Sequence, residues 1–321
     1  MALDNTPWFV GGGAQHSPEV ARTLAYAGTR GSEGISGLGD LKVQAQSTPT
    51  TTVRVSPGAG LVLNRYAGGG QQTYVLRNAT QTDVPITATG SSGGRTDLVV
   101  ARVLDPQYEG AAPSDPVTFQ YSKLAVIQGV SASVKTAAEL NLGYPAIALA
   151  RITLPASTAT ITSDMITDLR KVAQPRRDRA MVTVFPSTPQ TMPTGSYGNW
   201  PVPTGQRPVV SVPSWATRLD VVAHVSGVKF TQSGAVDSVA GVITVFGANN
   251  SSQNGIIIQD KEDSNGRYTY TWIGTHIIDS SMRGTDQLLS IQAFRTAGNG
   301  VFTADYQTSV VIDWEFSEGA Q

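Results

Sequence analysis

The feature that most constrains the fold of this chain is a succession of short strand-like runs bounded by turn-forming residues. Examples are "TDLVVARVLD" (96–105), "YPAIALARITLP" (144–155) and "SVVIDWEF" (309–316). In the last run, large apolar side chains occupy every second position: Val310, Ile312, Trp314 and Phe316. A period of two is typical of a strand with one buried face. Because such runs recur along most of the chain, they predict a mainly β protein.

The composition supports the same fold class. The chain has 33 glycines and 18 prolines, and charged residues make up only 15% of it, whereas a typical globular protein has about 25%. Short strands joined by turns suit this composition better than helical bundles do. We therefore predict a mainly β fold with two short helices. In it, a β-rich N-terminal module precedes a C-terminal β-sandwich of jelly-roll type.

Charge and residue content argue against several function classes. The formal net charge of -1 does not favour a general nucleic-acid or anionic-membrane binder. The absence of cysteine removes disulfides, thiolate catalysis and cysteine-based zinc sites. No run of about 20 apolar residues is present, so we expect no membrane insertion. The N-terminal "MALDNTPWFVGGG" lacks the basic and apolar regions of a signal peptide, so we expect synthesis in a cytoplasm.

Two segments predict helices. Ser17 is a favoured N-cap residue and Pro18 a favoured first helical residue, and an apolar stripe follows them. Its members are Val20, Leu24 and Ala27. The second helix is predicted over 162–172 ("TSDMITDLRKV"), with Thr162 or Ser163 as its cap. It is expected to pack by a second apolar stripe, which consists of Ile166, Leu169 and Val172.

A change of composition after the second predicted helix predicts a domain boundary. The residue before a proline disfavours helix, so "AQPRRDRA" (173–180) ends the helical segment. The following stretch, 185–215, holds seven of the 18 prolines. We predict an N-terminal module at 1–173, a linker at 174–192 and an outward-projecting C-terminal β-sandwich at 193–321. Arg176 and Arg177 are then interdomain residues of the linker.

The charged clusters of the chain have both a functional and a structural interpretation. Arginines 176, 177 and 179 could bind phosphate, but short charge runs are more often solvated or salt-bridged. Asp164 and Asp168 could hold a cation, although a capping acid beside a surface acid is commoner. The acidic group in "QDKEDSNGRY" could serve glycoside hydrolysis if it flanked a groove, but its Asn-Gly pair indicates a hairpin turn. Its members are Asp260, Glu262 and Asp263.

No segment has the spacing of a recognised catalytic or metal-binding motif. The glycine-rich stretches lack the Lys-Ser/Thr pair of a phosphate-binding loop, and there is no G-x-S-x-G elbow. The three histidines, at 16, 224 and 276, lie far apart in the sequence and lack HExxH spacing. A spatial Ser-His-Asp triad remains open at this point, because triads are not set by sequence order. We predict no catalytic residue, no metal site, no cofactor and no enzyme activity.

Aromatic residues are the best candidates for ligand contacts. Tyr268, Tyr270 and Trp272 alternate, so they lie on one face of one strand. That face is either part of the core, which we favour, or a platform on which the apolar faces of sugar rings stack. Trp200 and Trp215 lie in proline-rich surroundings and are expected to be exposed. The candidate ligand-binding residues are therefore Trp200, Trp215, Tyr268 and Tyr270.

The first half of the chain resembles the N-terminal module of minor tail proteins from phages that infect actinobacteria. The resemblance covers about residues 17–180, in the order found in that family. The stretches that carry it are "SPEVARTLAYAGTRGSEGISGLGDLKV", "VRVSPGAGLVLNRYAGGGQQTYVLRNA", "ATGSSGGRTDLVVARVLDP" and "LGYPAIALARITLPASTATITSDMITDLRKVA", with the Arg176–Arg177 pair after them. The second half matches no motif of that family.

The resemblance implies a structural component of a phage virion. Its N-terminal module would dock on other tail-tip or baseplate proteins, and its C-terminal module would project outward and bind host cell-wall glycan. Such proteins commonly form homo-oligomers, of which the trimer is typical, although no heptads in this chain indicate the number. Two alternatives are a purely structural tail spacer without host contact and a cell-envelope glycan hydrolase.

Overall fold

The computed structural model describes residues 17–232, 234, 236–261 and 265–319. The chain divides into two compact units, of which the first ends at Gln174 and the second spans Pro175–Gly319. Each unit has its own hydrophobic core. Among the described residues, no helix has the length and apolar character needed to cross a membrane.

The first unit consists of short strands with a single α-helix among its described residues. The helix is α1 (Pro18–Thr29). The strands are β1 (Gly34–Ile35), β2 (Val43–Ala45), β3 (Thr52–Val55), β4 (Gly58–Leu63), β5 (Thr73–Asn78), β6 (Thr82–Pro85), β7 (Arg95–Val103), β8 (Ser122–Ile127), β9 (Ala146–Leu154) and β10 (Ile166–Asp168). Short 3₁₀ helices span Ala137–Leu140 and Ser163–Met165.

Three antiparallel sheets surround the core of the first unit. Their strand orders are β1-β4-β5, β2-β3-β6 and β10-β9-β7-β8. The strand β7 is buried on both faces, because Val99 packs in the main core whereas Leu98 and Val100 pack in a separate apolar cluster. The three consecutive aliphatic residues therefore have the double burial that a continuous apolar run indicates.

The first helix begins where the sequence predicts. Ser17 Oγ accepts a hydrogen bond from the Val20 amide at 3.3 Å, and Pro18 is the first helical residue. The predicted apolar stripe is nevertheless not the packed face, since Leu24 is 48% exposed. A polar residue anchors the helix instead. The Arg22 guanidinium donates to Gln72 and Asp105, at 2.5 and 3.2 Å.

The prediction of a second helix over 162–172 is wrong. Only Ser163–Met165 form a 3₁₀ turn, and β10 then pairs antiparallel with residues 150–152 of β9. Pairing with a neighbouring strand satisfies the backbone groups that a helix would otherwise have to satisfy locally. Ile166 and Val172 pack against the main core, whereas Leu169 packs against the other cluster. These three residues pack inward, as predicted, but they are only half-buried and do not form one stripe.

Arg170 fixes the segment after β10 to another part of the first unit. Its side chain is only 4% exposed and forms an ion pair with Asp168 at 2.7 Å. Its Nη1 also donates to the carbonyl oxygens of Leu38 and Asp40, at 2.9 and 2.6 Å. One guanidinium therefore joins the end of β10 to a distant loop, a use that depends on its several fixed donors.

The second unit is an all-β structure among its described residues, apart from a 3₁₀ turn at Thr204–Gln206. Its strands are β11 (Arg177–Val184), β12 (Gln190–Thr191), β13 (Gly198–Asn199), β14 (Val209–Ser211), β15 (Arg218–Thr231), β16 (Ser238–Phe246), β17 (Asn250–Ser251), β18 (Gly255–Gln259), β19 (Gly266–Ile277), β20 (Asp286–Ala297), β21 (Val301–Ala304) and β22 (Ser309–Ser317).

Two six-stranded sheets form a β-sandwich. The first has the order β11-β22-β15-β21-β12, with β19 also paired to β15. The second has the order β13-β20-β16-β17, with β14 paired to β20 and β18 to β16. One core cluster lies between them, and the Phe246 and Phe316 rings meet across it with centroids 6.1 Å apart. The predicted mainly β fold with a C-terminal β-sandwich is confirmed.

The predicted linker at 174–192 needs correction. Arg177–Val184 form β11, which pairs with β22 along its whole length, from Arg177 opposite Ser317 to Val184 opposite Val310. Gln190 and Thr191 form a second, shorter strand of the same sheet. This stretch is therefore the start of the sandwich and not a linker. Its backbone partners belong to β22, which lies far away in the sequence, so the local sequence does not reveal them.

Candidate ligand-binding surface of the second unit

The sequence-predicted aromatic residues do not come together as one binding site. Trp200 was expected to be exposed, but it is wholly buried in the core of the sandwich. Its indole Nε1 donates to the Gln190 carbonyl oxygen at 3.2 Å, so its polar atom is satisfied inside the protein. A proline-rich context indicated an exposed loop, yet Trp200 directly follows β13 and its side chain points into the core.

Trp215 is half-buried and is covered on one side by Arg176. The Arg176 guanidinium lies 5.2 Å from the centre of the indole ring. The same guanidinium makes a bidentate ion pair with Glu318, at 2.9 and 2.7 Å. Hydrogen bonds from Arg176 hold the pKa of the Glu318 carboxyl below its usual range. This cluster lies within the second unit, and its visible role is to join the two ends of the sandwich.

Tyr268 and Tyr270 belong to the inner face of β19. Both are half-buried and pack against the core together with Trp272, which is 8% exposed. The Tyr270 hydroxyl donates to Gln259 Oε1 at 2.7 Å. The core interpretation that we favoured for this alternating run is therefore confirmed. Both tyrosines turn one side of the ring to the core, which leaves only part of each ring accessible.

The remaining sequence candidates are also engaged in structural contacts. Arg177 pairs with Glu315 at 2.8 Å, and Arg179 pairs with Asp313, both across neighbouring strands of the sandwich. These partners account for the arginine run as salt-bridged strand residues of the second unit.

The histidines are distributed rather than clustered. His276 is buried, with Nε2 2.9 Å from Thr244 Oγ1, and burial lowers its pKa. His224 is exposed and lies 2.6 Å from Thr271 Oγ1. His16, Glu262 and Asp263 lie outside the described residues. Within the described part of the chain, no group of three or more His, Asp or Glu side chains could hold a metal ion.

The outer face of β20 has a different set of polar and aromatic groups. Its inner residues are buried in the core: Leu289, Ile291 and Ala293. The alternate positions Ser290, Gln292 and Phe294 therefore lie on the other face, where Gln292 and Phe294 are half-buried and Ser290 is only 2% exposed. Residues from the segment before β14 flank this row. We call the resulting set, which consists of Tyr197, Asn199, Arg207, Ser290, Gln292 and Phe294, the β20 platform.

An aromatic pair forms one end of the β20 platform. The half-buried rings of Tyr197 and Phe294 meet edge to face, with centroids 4.6 Å apart and planes at 73°. Phe294 is paired in register with Gly241 of β16. A Cβ atom at Gly241 would lie 2.7 Å from the Tyr197 hydroxyl oxygen, so glycine is what allows the ring to lie close over the sheet. Partial burial raises the pKa of the Tyr197 phenol.

Amide and guanidinium groups form the other end. Asn199 lies directly opposite Gln292 in the β13–β20 pair, which places both side chains on the outer face. Asn199 Nδ2 donates to Thr204 Oγ1 at 3.0 Å, but Asn199 Oδ1 has no hydrogen-bond partner among the described residues although it is buried. Arg207 donates to Ser290 Oγ at 3.1 Å and to the Thr204 carbonyl oxygen at 3.0 Å.

This arrangement can bind a ligand that has both an apolar face and several hydroxyl groups. The aromatic pair offers an apolar surface, and the amides and guanidinium offer fixed donors and acceptors. Asn199 Oδ1 itself is covered by protein atoms, so the polar groups nearer the surface are those of the half-buried Gln292 and Arg207 side chains. The side chains of the set are aromatic rings, amides, a hydroxyl and a guanidinium.

The sequence contains part of the signal for this surface. The run "LSIQAF" (289–294) alternates, which predicts that Ser290, Gln292 and Phe294 share a face. Nothing local indicates that "SYGNW" (196–200) lies beside this run, because that adjacency comes from the β13–β20 pairing.

No protein-family model matches this chain, and no curated protein matches it. Among solved structures, the subviral particle of VP2 from infectious bursal disease virus aligns over 95% of this chain and 83% of that chain, with 10% identity and a TM-score of 0.25. The tandem CBM22 domain of Xyn10C from Paenibacillus barcinonensis aligns over 90% of this chain and 100% of that chain, with 10% identity and a TM-score of 0.19.

Proposed function

We propose that this protein is a structural component of a phage tail tip or baseplate and that its second unit binds host-surface glycan without catalysis. The observation that carries the binding part is the β20 platform. It combines a half-buried Tyr197–Phe294 pair with the half-buried side chains of Gln292 and Arg207 on one outer face of the sandwich. The virion part rests on the resemblance of residues 17–180 to phage minor tail proteins.

The platform suits a sugar better than the other ligand classes that a tail protein meets. A pyranose has C–H groups on one face, which stack on aromatic rings, and hydroxyl groups at its rim, which pair with amides. An anionic polymer would require several free cations, whereas Arg207 is already bonded to Ser290 and Thr204. The accessible part of the row on β20, from Gln292 to Phe294, is about 7 Å long, so the contact would be with a small part of a glycan.

Each platform would bind weakly, and several copies on one virion would raise the overall affinity. A single site of this kind is expected to have a millimolar dissociation constant, which corresponds to about 4 kcal/mol. Several copies held on one particle can raise the overall affinity by about 10² to 10⁴ without any new contact. The first unit would hold the copies together on one particle by docking each of them on other tail proteins.

The experiment displays the full chain at high density on fluorescent beads and measures staining of actinobacterial cells. We expect wild-type beads to stain cells, and Tyr197→Ala and Gln292→Ala to reduce staining at least tenfold. Tyr306→Ala is the matched control, because Tyr306 is 73% exposed but lies outside the platform. Free cell-wall oligosaccharide should compete with the wild-type beads.

Three results would contradict the proposal. Wild-type beads that leave host cells unstained would favour a structural spacer. Staining that survives both platform substitutions would place the contact elsewhere on the protein. Release of soluble sugar from purified cell walls would instead favour the hydrolase. Immunogold labelling of virions tests the structural part separately, since it requires label at the tail whatever the beads show.

A further inference from the structure

The strand β11 is a long and unprotected sheet edge. It spans eight residues, Arg177–Val184, and pairs with β22 on one side. Among the described residues, no hydrogen bond is made by its other backbone edge. Ala180 and Met181 at its middle are exposed, and Met181 is 66% exposed. Such an edge is a ready template for another strand.

The usual devices that block sheet edges are largely missing from β11. It contains no proline, and its pairing with β22 runs without a bulge. Its two outward-facing arginines do not repel a partner strongly, because Arg177 pairs with Glu315 and Arg179 pairs with Asp313. Edge strands that stay unpaired normally have free charges, prolines or bulges.

We propose that β11 pairs antiparallel with β11 of a second copy of this chain, around a two-fold axis close to Ala180 or Met181. The pair would join the β11-containing sheets of two sandwiches into one larger sheet. An antiparallel strand pair is self-complementary, so it forms a closed two-fold contact from one surface. The inference is independent of the proposed glycan binding.

The charges along β11 select the register. An axis at Arg179 or at Asp178 would place two like charges directly opposite each other, which is destabilising. An axis at Ala180 places Arg179 opposite Met181 of the other copy, and an axis at Met181 places the two Met181 side chains together. In both registers the arginine stems and the methionines pack on one face, where Arg179 keeps its ion pair with Asp313.

A second copy fits this edge better than an unrelated charged partner does. The outer face beside it has a row in which Met181, Asp313, Val222 and Ile273 are paired in register. Ile273 is 69% exposed and Val222 is 38% exposed. Because the arginines beside this row are paired with acidic side chains, the face has no excess charge that would attract an acidic or basic protein.

The absence of cysteine from the whole chain permits a direct test. Ala180→Cys and Met181→Cys are introduced singly into the full chain and oxidised under mild conditions. Partners across the axis have Cα atoms about 4.5–5.5 Å apart, which is within disulfide range. We expect one of the two variants to form a covalent dimer at least tenfold faster than Tyr306→Cys, whose position is equally exposed.

A second variant tests the contact without a covalent bond. Met181→Lys places a lysine beside Arg179 of the other copy or beside a second lysine, so we expect it to reduce the dimer fraction in sedimentation at least tenfold. Circular dichroism checks that the variant keeps its fold. The proposal is overturned by crosslinking no faster than in the control, by an unchanged dimer fraction in Met181→Lys, or by a wild-type mass of one or three chains.

Discussion

Arg176 closes the second unit by a bidentate ion pair with Glu318, whose side chain is only 2% exposed. The Nε and Nη2 atoms of Arg176 lie 2.9 and 2.7 Å from the two carboxylate oxygens, and the Arg176 amide also donates to Glu318 Oε2, at 3.1 Å. The first and last residues of the sandwich are thereby held together. This contact gives the arginine run a structural role in the stability of the sandwich.

Arg176→Ala should destabilise the protein by about 2 kcal/mol, because it leaves the buried Glu318 carboxylate with only a backbone donor. Urea unfolding at neutral pH measures the change. Arg177→Ala is the matched control, since the Arg177–Glu315 pair is more exposed and should contribute less than about 1 kcal/mol. Equal losses in the two variants would contradict the special role of Arg176.

The same pair predicts an acid dependence. The folded-state pKa of Glu318 is below its ordinary value of 4.5, so its contribution is complete above that value and is lost as the pH falls through the folded pKa. The stability difference between wild type and Arg176→Ala should therefore shrink as the pH falls below 4.5. A difference that stays constant down to the pH of acid unfolding would contradict this assignment.

His276 should make the protein sensitive to mild acid. Burial lowers its folded-state pKa from the ordinary value of 6.5, so the unfolded chain takes up a proton more readily than the folded one. Stability is therefore complete above 6.5 and falls as the pH drops from there toward the folded pKa. His276→Gln should flatten this part of the stability profile, as measured by urea unfolding on either side of pH 6.5.

The two loop tryptophans should differ widely in their contribution to stability. Trp200→Ala removes a wholly buried side chain and should cost about 3–5 kcal/mol. Trp215→Ala removes a half-buried ring and its contact with Arg176, which should cost about 1 kcal/mol beyond the lost packing. Comparison of the two urea midpoints checks this order, and similar midpoints would contradict the burial of Trp200.

Arg170→Lys should be far from conservative. The guanidinium reaches Asp168 and two backbone carbonyl oxygens at once, and a single ammonium cannot reproduce that fork. We expect a loss of about 2 kcal/mol, mainly from carbonyl groups left without a partner. Arg177→Lys, at a 68% exposed side chain, should change the stability by less than about 0.5 kcal/mol. Thermal unfolding of both variants provides the comparison.

The sequence by itself determined the fold class, the first helix cap and the strand faces. These features depend on neighbours along the chain. Ser17 caps α1 from three residues away, and the alternation of β22 places Val310, Ile312 and Phe316 in the core. Hydrophobic period and capping chemistry are local, so they could be derived without a structure.

Only the tertiary structure decided that part of segment 162–172 forms a strand and not a helix. It also decided which aromatic rings are exposed. β10 is a strand because β9 supplies its backbone partners, and Trp200 is buried because its main chain hydrogen-bonds to Ile291 beside the core. The β20 platform likewise unites Asn199 and Gln292, which lie far apart in sequence. Strand pairing joins distant residues, and the energy of that pairing outweighs local propensity.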